Sequence, residues 1–175
     1  MDEGRRTGFE VRQVLLGTAL WCELIRFAEG WEWGVGSVLA RRMRGGFGDG
    51  YAVFAAFLGG ELSGACTLDK GAGWALSSAG ELENAEGSAA SLLPFIGSVY
   101  IAPQARGHRL SGCLCDTACA LAKELRFRAA YLVSGDTGLY EKYGFEPVAM
   151  TDTPWGRREP VFRKRLSGTV DEAIA

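Results

Sequence analysis

Residues 104–112 read Gln104-Ala105-Arg106-Gly107-His108-Arg109-Leu110-Ser111-Gly112. An apolar, branched stretch, Phe95 to Ile101, precedes them, and a run with helical spacing, Leu110 to Arg126, follows. The pattern predicts a strand, a glycine-containing loop and a helix start, in that order. Pro103 cannot donate to a ladder and helps end the strand. Leu114, Ala118, Leu121 and Leu125 form the expected buried stripe of the helix. The first turn of such a helix carries free backbone N–H groups at the positive end of the macrodipole. A pyrophosphate suits that geometry. Gly107 lets the backbone approach a ligand closely, and Arg106, His108 and Arg109 add positive or polar character. Alone, so short a glycine loop is equally compatible with a plain turn rimmed by basic residues.

Downstream, Ala129 to Ser134 reads as a strand. Strand, helix and strand in that order imply a right-handed parallel crossover. A short helix is expected over Leu139 to Tyr143, ended by Gly144, and Pro147 to Met150 with Pro160 to Lys164 read as a terminal strand pair. Upstream, Tyr51 to Leu58 and Leu62 to Asp69 flank Gly59-Gly60, a hairpin signal. Phe9 to Leu16 reads as a first strand. Thr18 can cap a helix running to about Glu29, with Trp21, Leu24, Ile25 and Ala28 on one face and Gly30 as its stop. A second helix is expected from Gly36 to Arg44, with Val38, Leu39 and Met43 inward, followed by a loop over Gly45 to Gly50. Gly71 to Leu93, rich in Gly, Ala and Ser, reads as a long loop.

The 175 residues suit one domain over residues 1–166, with 167–175 as a C-terminal tail. A formal net charge of −2 supplies no global field toward nucleic acid or anionic membrane. The cluster Arg41, Arg42 and Arg44 reads as a solvated helix face. The longest apolar stretch, Tyr51 to Leu58, is too short to span a bilayer, and the first residues lack a signal-peptide pattern. The expectation is a cytoplasmic protein. Its five cysteines, Cys22, Cys66, Cys113, Cys115 and Cys119, are odd in number and lack ligand spacing. They read as free thiols that pack as small apolar groups, and no metal is expected.

Two motifs together carry a resemblance. Gln104-x-x-Gly107-x-Arg109 resembles the Q/R-x-x-G-x-G/A motif of the GNAT superfamily of N-acetyltransferases. Leu139-Tyr140-Glu141-Lys142-Tyr143-Gly144-Phe145 resembles its L-Y-x-x-x-G-F hallmark. Their order and spacing are those of the superfamily, over roughly Tyr51 to Leu166. Arg106 to Ser111, Tyr131 to Ser134, Leu139 to Glu146 and Trp155-Gly156 further resemble a bacterial subgroup of unsettled substrate. The sequence departs from the pattern in three places. Arg109 stands where Gly or Ala is usual, Val133 and Ser134 lie where an Asn is often found, and Gly135-Asp136 replaces the subgroup's Asp-His pair.

The resemblance implies an α/β fold: a mixed, mostly antiparallel sheet flanked by helices, with a splayed parallel pair forming an acetyl-CoA cleft. It implies direct transfer of acetyl from CoA to a primary amine of a small molecule or peptide. The pyrophosphate would rest on Arg106, Gly107, His108, Arg109, Leu110, Ser111 and Gly112. The pantetheine arm would pair with the backbone of Val99, Tyr100 and Ile101. Tyr140 would be the general acid for the departing thiolate. A phenol of pKa about 10 is protonated at neutral pH. Gly97 and Ser98 occupy the strand where many relatives carry a basic Glu. The base stays open among Glu32, Asp69, Asp136, a water chain and His108, whose loop position favours a cofactor-side role. Trp31, Glu32, Trp33, Asp136 and Trp155 are candidate acceptor-site residues, suited to a small cationic amine. A homodimer stays open, as does an alternative function: an acyl-CoA-binding sensor or interaction domain with impaired catalysis.

Overall fold

The computed structural model describes residues 8–48, 50–71 and 93–166. Its strands are β1 (Phe9–Gln13), β2 (Gly50–Leu58), β3 (Glu61–Lys70), β4 (Pro94–Ile101), β5 (Ala129–Val133), β6 (Glu146–Asp152) and β7 (Arg158–Arg165). Its α-helices are α1 (Ala19–Glu29), α2 (Val35–Arg44) and α3 (Leu110–Glu124). Short 3-10 turns cover Pro103–Ala105 and Tyr140–Tyr143. The sheet order is β1-β2-β3-β4-β5-β7-β6, and β4 and β5 run parallel, with Phe95 opposite Tyr131. The remaining pairs make the sheet mostly antiparallel, as expected. Among the described residues, no helix is long and apolar enough to cross a membrane. The expected loop over residues 72–92 and the tail over 167–175 lie outside the described residues.

Residue proximity divides the chain into two units, Met1–Leu68 with Ser98–Ala118, and Asp69–Gly97 with Cys119–Ala175. The core of the first buries Trp21, Leu24, Ala28, Leu39 and Met43 of the helices against Val53, Ala55, Phe57, Ala65 and Tyr100 of the strands. Thr18 caps α1, its Oγ1 accepting the Trp21 N–H at 3.2 Å. Helices α1 and α2 meet closely at Gly36, where a Cβ would lie 2.0 Å from the Ala28 carbonyl oxygen. Only glycine fits there. The core of the second unit joins Leu93, Phe95, Ala129, Tyr131 and Val161.

Several boundaries differ from expectation. Strand β1 stops at Gln13, and Leu15 and Leu16 are exposed before the α1 cap. Val38, expected inward, is exposed, because α2 turns Gly36, Leu39, Ala40 and Met43 to the core. Leu125 is exposed because α3 ends at Glu124 and Arg126 takes a left-handed φ of 69°. The buried stripe is Leu114, Cys115, Ala118, Cys119 and Ala122, and Leu121 is only half-buried. Three of the cysteines pack as expected, but Cys22 is exposed and Cys113 half-buried. Strand β5 is one residue shorter than expected. Strands β6 and β7 are longer, with a register shift between Pro147 and Ala149.

One polar bridge ties the first unit together. Glu32, between α1 and α2, accepts the Tyr100 hydroxyl at 2.6 Å through Oε2. Its Oε1 accepts the Arg106 guanidinium at 2.7 Å. Arg106 Nε also donates to the Ile101 carbonyl at 3.1 Å. The helix pair, the end of β4 and the following loop are thus joined through one carboxylate. These bonds, the Tyr100 hydroxyl first, lower the Glu32 pKa to about 2. Burial and then the Glu32 carboxylate push Tyr100 up to about 12.

The signs of these shifts set a pH window. The lowered Glu32 pKa contributes stability that is complete above the unfolded value of 4.5 and is lost as pH falls through about 2. The raised Tyr100 pKa contributes stability that is complete below 10.0 and is lost as pH rises through about 12. Exposure of Glu32 and Arg106 keeps the acidic contribution modest. Urea unfolding of wild type and Glu32→Gln should therefore differ by a constant amount between about pH 5 and 9. The gap should narrow as pH falls from 4.5 toward about 2. A gap that stays unchanged to the acid limit contradicts the bridge.

Candidate active site

The loop between β4 and α3 is shaped by its backbone. Ser98 has a φ of 50° inside β4, a kink that a non-glycine residue adopts at a cost of about 1–2 kcal/mol. Beyond it, the Ala102 N–H donates to the Ser63 carbonyl of β3 at 2.8 Å. Ladder alternation then turns the Tyr100 peptide groups toward β3 and those of Val99 and Ile101 away from it. Of the three strand residues expected to meet pantetheine, only Val99 and Ile101 therefore present backbone groups on the edge away from β3. The Ile101 carbonyl is further occupied by Arg106 Nε.

The chain next makes a 3-10 turn over Pro103–Ala105, and the Arg106 N–H donates to the Pro103 carbonyl at 3.3 Å. Gly107 follows with a φ of 87° and Arg109 with a φ of 60°. The two left-handed residues turn the chain into α3, where the Cys113 N–H donates to the Arg109 carbonyl at 3.2 Å. The N–H groups of Gly107, His108, Arg109, Leu110 and Gly112 donate to no acceptor among the described residues. A Cβ built on Gly107 meets no heavy atom within 4 Å, so the loop borders open space. That combination fits an anionic group. Arg109 stands where the motif it resembles has Gly or Ala, and it is held in a left-handed conformation that glycine adopts freely.

The side chains divide differently from expectation. Arg106 spends its guanidinium on Glu32 and Ile101, so its charge belongs to the bridge. His108 and Arg109 are exposed on the loop, Leu110 and Gly112 are buried, and Ser111 is half-buried. Trp31 is buried and stacks on Tyr100, with ring centroids 4.2 Å apart and planes 14° apart. It forms core rather than an open wall. Trp33 beside it is half exposed. Asp69 lies near the end of β3, half-buried.

In the second unit, Tyr140 is buried in the 3-10 turn after β5. Its ring meets Tyr143 and Phe145 edge-on, with centroids 6.2 Å away in each case, and lies 5.9 Å from Phe162. Gly144 closes the turn at a φ of 84°. Asp136 is exposed, and its N–H donates to Ser134 Oγ at 3.1 Å. Trp155, at the tip of the β6–β7 hairpin, is exposed, and its indole N–H donates to Glu159 Oε1 at 3.2 Å. Glu159, absent from the sequence-based candidates, is the one charged side chain among the buried polar residues described. In the sequence it stands between Arg158 and Pro160 and reads as an ordinary surface charge.

Residues 18–145 match the acetyltransferase (GNAT) family. No curated protein matches the chain. Among solved structures, the chain is similar to aminoglycoside 6'-acetyltransferase type Ii, at 13% identity and a TM-score of 0.66, over 92% of this chain and 99% of that one. It is also similar to a GNAT family acetyltransferase from Elizabethkingia anophelis with acetyl-CoA bound, at 13% identity and a TM-score of 0.58, over 90% and 98% of the two chains. A third similar structure is an agmatine N-acetyltransferase mutant, at 14% identity and a TM-score of 0.59, over 91% and 100%. At such identities these likenesses speak to the fold, and the family match speaks to the chemistry: the chain belongs to the GNAT family of acetyltransferases.

Proposed function

We propose that the protein is an acetyl-CoA-dependent N-acetyltransferase that moves acetyl directly from the CoA thioester to a primary amine of a small molecule or peptide. The observation that carries this reading is the loop over residues 106–112, with its two left-handed residues, unpaired N–H groups and open border. A CoA pyrophosphate is the dianionic group that such a loop and helix start would hold. Val99 and Ile101 offer the backbone groups for the pantetheine amides. One structural neighbour has acetyl-CoA bound, and two others are named for aminoglycoside and agmatine acetylation. These names support the cosubstrate and an amine acceptor.

In the reaction, the lone pair of a neutral amine forms a bond to the thioester carbonyl carbon. Collapse of the adduct breaks the C–S bond and leaves the electron pair on sulfur. Holding both reactants together removes much of the entropic barrier. A backbone N–H near the Ser98 kink would stabilise the carbonyl oxygen as charge develops. Tyr140 would give its phenolic proton to the thiolate and regain one from solvent. The amine loses its proton to a base, and Glu32 is a poor candidate for it. A carboxylate held near a pKa of about 2 by Tyr100 and Arg106 has little affinity for a proton. Asp136, His108 or a water chain would take that proton.

Calorimetry with acetyl-CoA tests the binding half. Wild type should bind, and Gly107→Glu should abolish binding, because the variant places bulk and like charge where the pyrophosphate would lie. Absence of wild-type binding at millimolar ligand contradicts the reading. The catalytic half is tested by Tyr140→Phe, which should lower single-turnover transfer by about 100-fold with acetyl-CoA affinity nearly unchanged. A thiol of pKa about 8.5 leaves fairly well unaided, which sets the expectation at the low end for a general acid. Tyr143→Phe is the control and should behave like wild type. Loss in Tyr143→Phe with full activity in Tyr140→Phe would overturn the assignment.

A further inference from the structure

Strand β1 stands first in the sheet order, with β2 on one side and no described strand on the other. Its register with β2 decides which of its backbone groups are left over. The Gly59 N–H donates to the Gly8 carbonyl at 3.0 Å, and the Val14 N–H donates to the Val53 carbonyl at 2.8 Å. Between those two bonds the register runs unbroken from Phe9 opposite Leu58 to Gln13 opposite Phe54. Antiparallel alternation then commits the N–H and C=O groups of Glu10 and Arg12 to β2 and turns those of Phe9, Val11 and Gln13 to the free edge. Among the described residues, these edge groups have no partner. The strand holds no proline, lysine or bulge, the usual means of blunting an edge.

The side chains decide what the edge accepts. Glu10 and Arg12 share one face of the strand, are both exposed, and pair with each other through two bonds of 2.6 Å. Arg12 also lies over the Phe57 ring, 4.6 Å from its centroid, which helps hold the pair in place. Charges on an edge repel most strands that approach it. A second copy of β1, laid antiparallel and centred on Val11, instead sets Glu10 against Arg12 of that copy and Arg12 against its Glu10. Those are the non-hydrogen-bonded positions, where opposed side chains come closest. Sliding the copy by two residues either way brings Glu10 onto Glu10 or Arg12 onto Arg12. A slide by one sets edge groups against groups already committed to β2. On the other face Val11 meets its own copy, and Phe9, 58% exposed, lies within diagonal reach of it.

We propose that the free edge of β1 binds a second copy of this chain, in a two-fold antiparallel pairing centred on Val11. Phe9, Val11 and Gln13 then exchange N–H···O bonds with Gln13, Val11 and Phe9 of the second copy. Such an interface is isologous, so it closes at two chains. The alternating charges set its register rather than its strength, because exposed ion pairs contribute little. A strand of five residues covers less than the about 800 Å² per partner of a standard interface, so the association is weak and depends on concentration. The pairing involves the first unit alone and is independent of the acetyl-transfer reading.

The test is sedimentation velocity of the full chain over concentrations from about 1 to 500 µM at low salt. Wild type should pass from monomer to dimer with a Kd on the order of 100 µM. Glu10→Arg gives each strand two like charges and should raise that Kd about tenfold or more, as should Arg12→Glu. Mixed together, the two variants should associate with each other about as wild type does, because the two arginines of one strand then face the two glutamates of the other. The ion pair within a single strand cannot produce that result, since neither variant keeps it, and the association also shows that both variants fold. A wild type that stays monomeric throughout, as it would if another segment of the chain covered the edge, overturns the proposal. So does a dimer that persists undiminished in either variant alone, which would place the interface elsewhere. A mixture of the two variants that fails to associate overturns it as well.

Discussion

The left-handed backbone at Gly107 and Arg109 is the constraint on which the loop between β4 and α3 depends. An extended strand cannot run directly into a helix whose first N–H groups point at open space. The chain must reverse within a few residues while keeping those donors unpaired. Gly107 adopts its φ of 87° freely, whereas Arg109 adopts 60° at some cost. The cost is tolerated because the neighbours fix the loop. The Arg106 N–H closes the preceding 3-10 turn, and the Cys113 N–H closes the first turn of α3.

Glu32 extends that order into the rest of the first unit. Its two oxygens hold Tyr100, on whose ring Trp31 stacks, and Arg106, one residue before Gly107. The carboxylate is therefore committed to structure, and the arginine with it. Positive potential at the loop is left to Arg109 and the helix start. The second unit buries a carboxylate, Glu159, whose Oε1 accepts the Trp155 indole N–H. Two acidic side chains thus have opposite settings: Glu32 is exposed but fully paired, and Glu159 is buried but unpaired by any cation among the described residues.

Much of the fold was legible because its signals are local. The hairpin at Gly59-Gly60, the strand-loop-helix at 95–126 and the stop at Gly144 each depend on residues within a few positions of one another. The family resemblance rested on two such local motifs and agrees with the match over residues 18–145. Failures came where distant residues decide. Val38 looks apolar and periodic, but the Gly36 contact with Ala28 sets which face of α2 is buried. The pairing of Arg106 with Glu32, 74 positions away, likewise has no local signal. Trp31 reads as a pocket wall until Tyr100 stacks on it. The burial of Glu159 could have been suspected only from Trp155 four residues before it, at a hairpin tip, together with a glycine just after β5.

The central claim is that the backbone of residues 107–112 receives the CoA pyrophosphate. A crystal structure with a non-reactive thioether analogue of acetyl-CoA tests it most directly. The account predicts pyrophosphate oxygens within hydrogen-bond distance, about 2.7–3.2 Å, of N–H groups between Gly107 and Gly112. It also predicts that the Arg106 to Glu32 pair stays intact beside them. A pyrophosphate bound elsewhere, or held by an Arg106 released from Glu32, would contradict it.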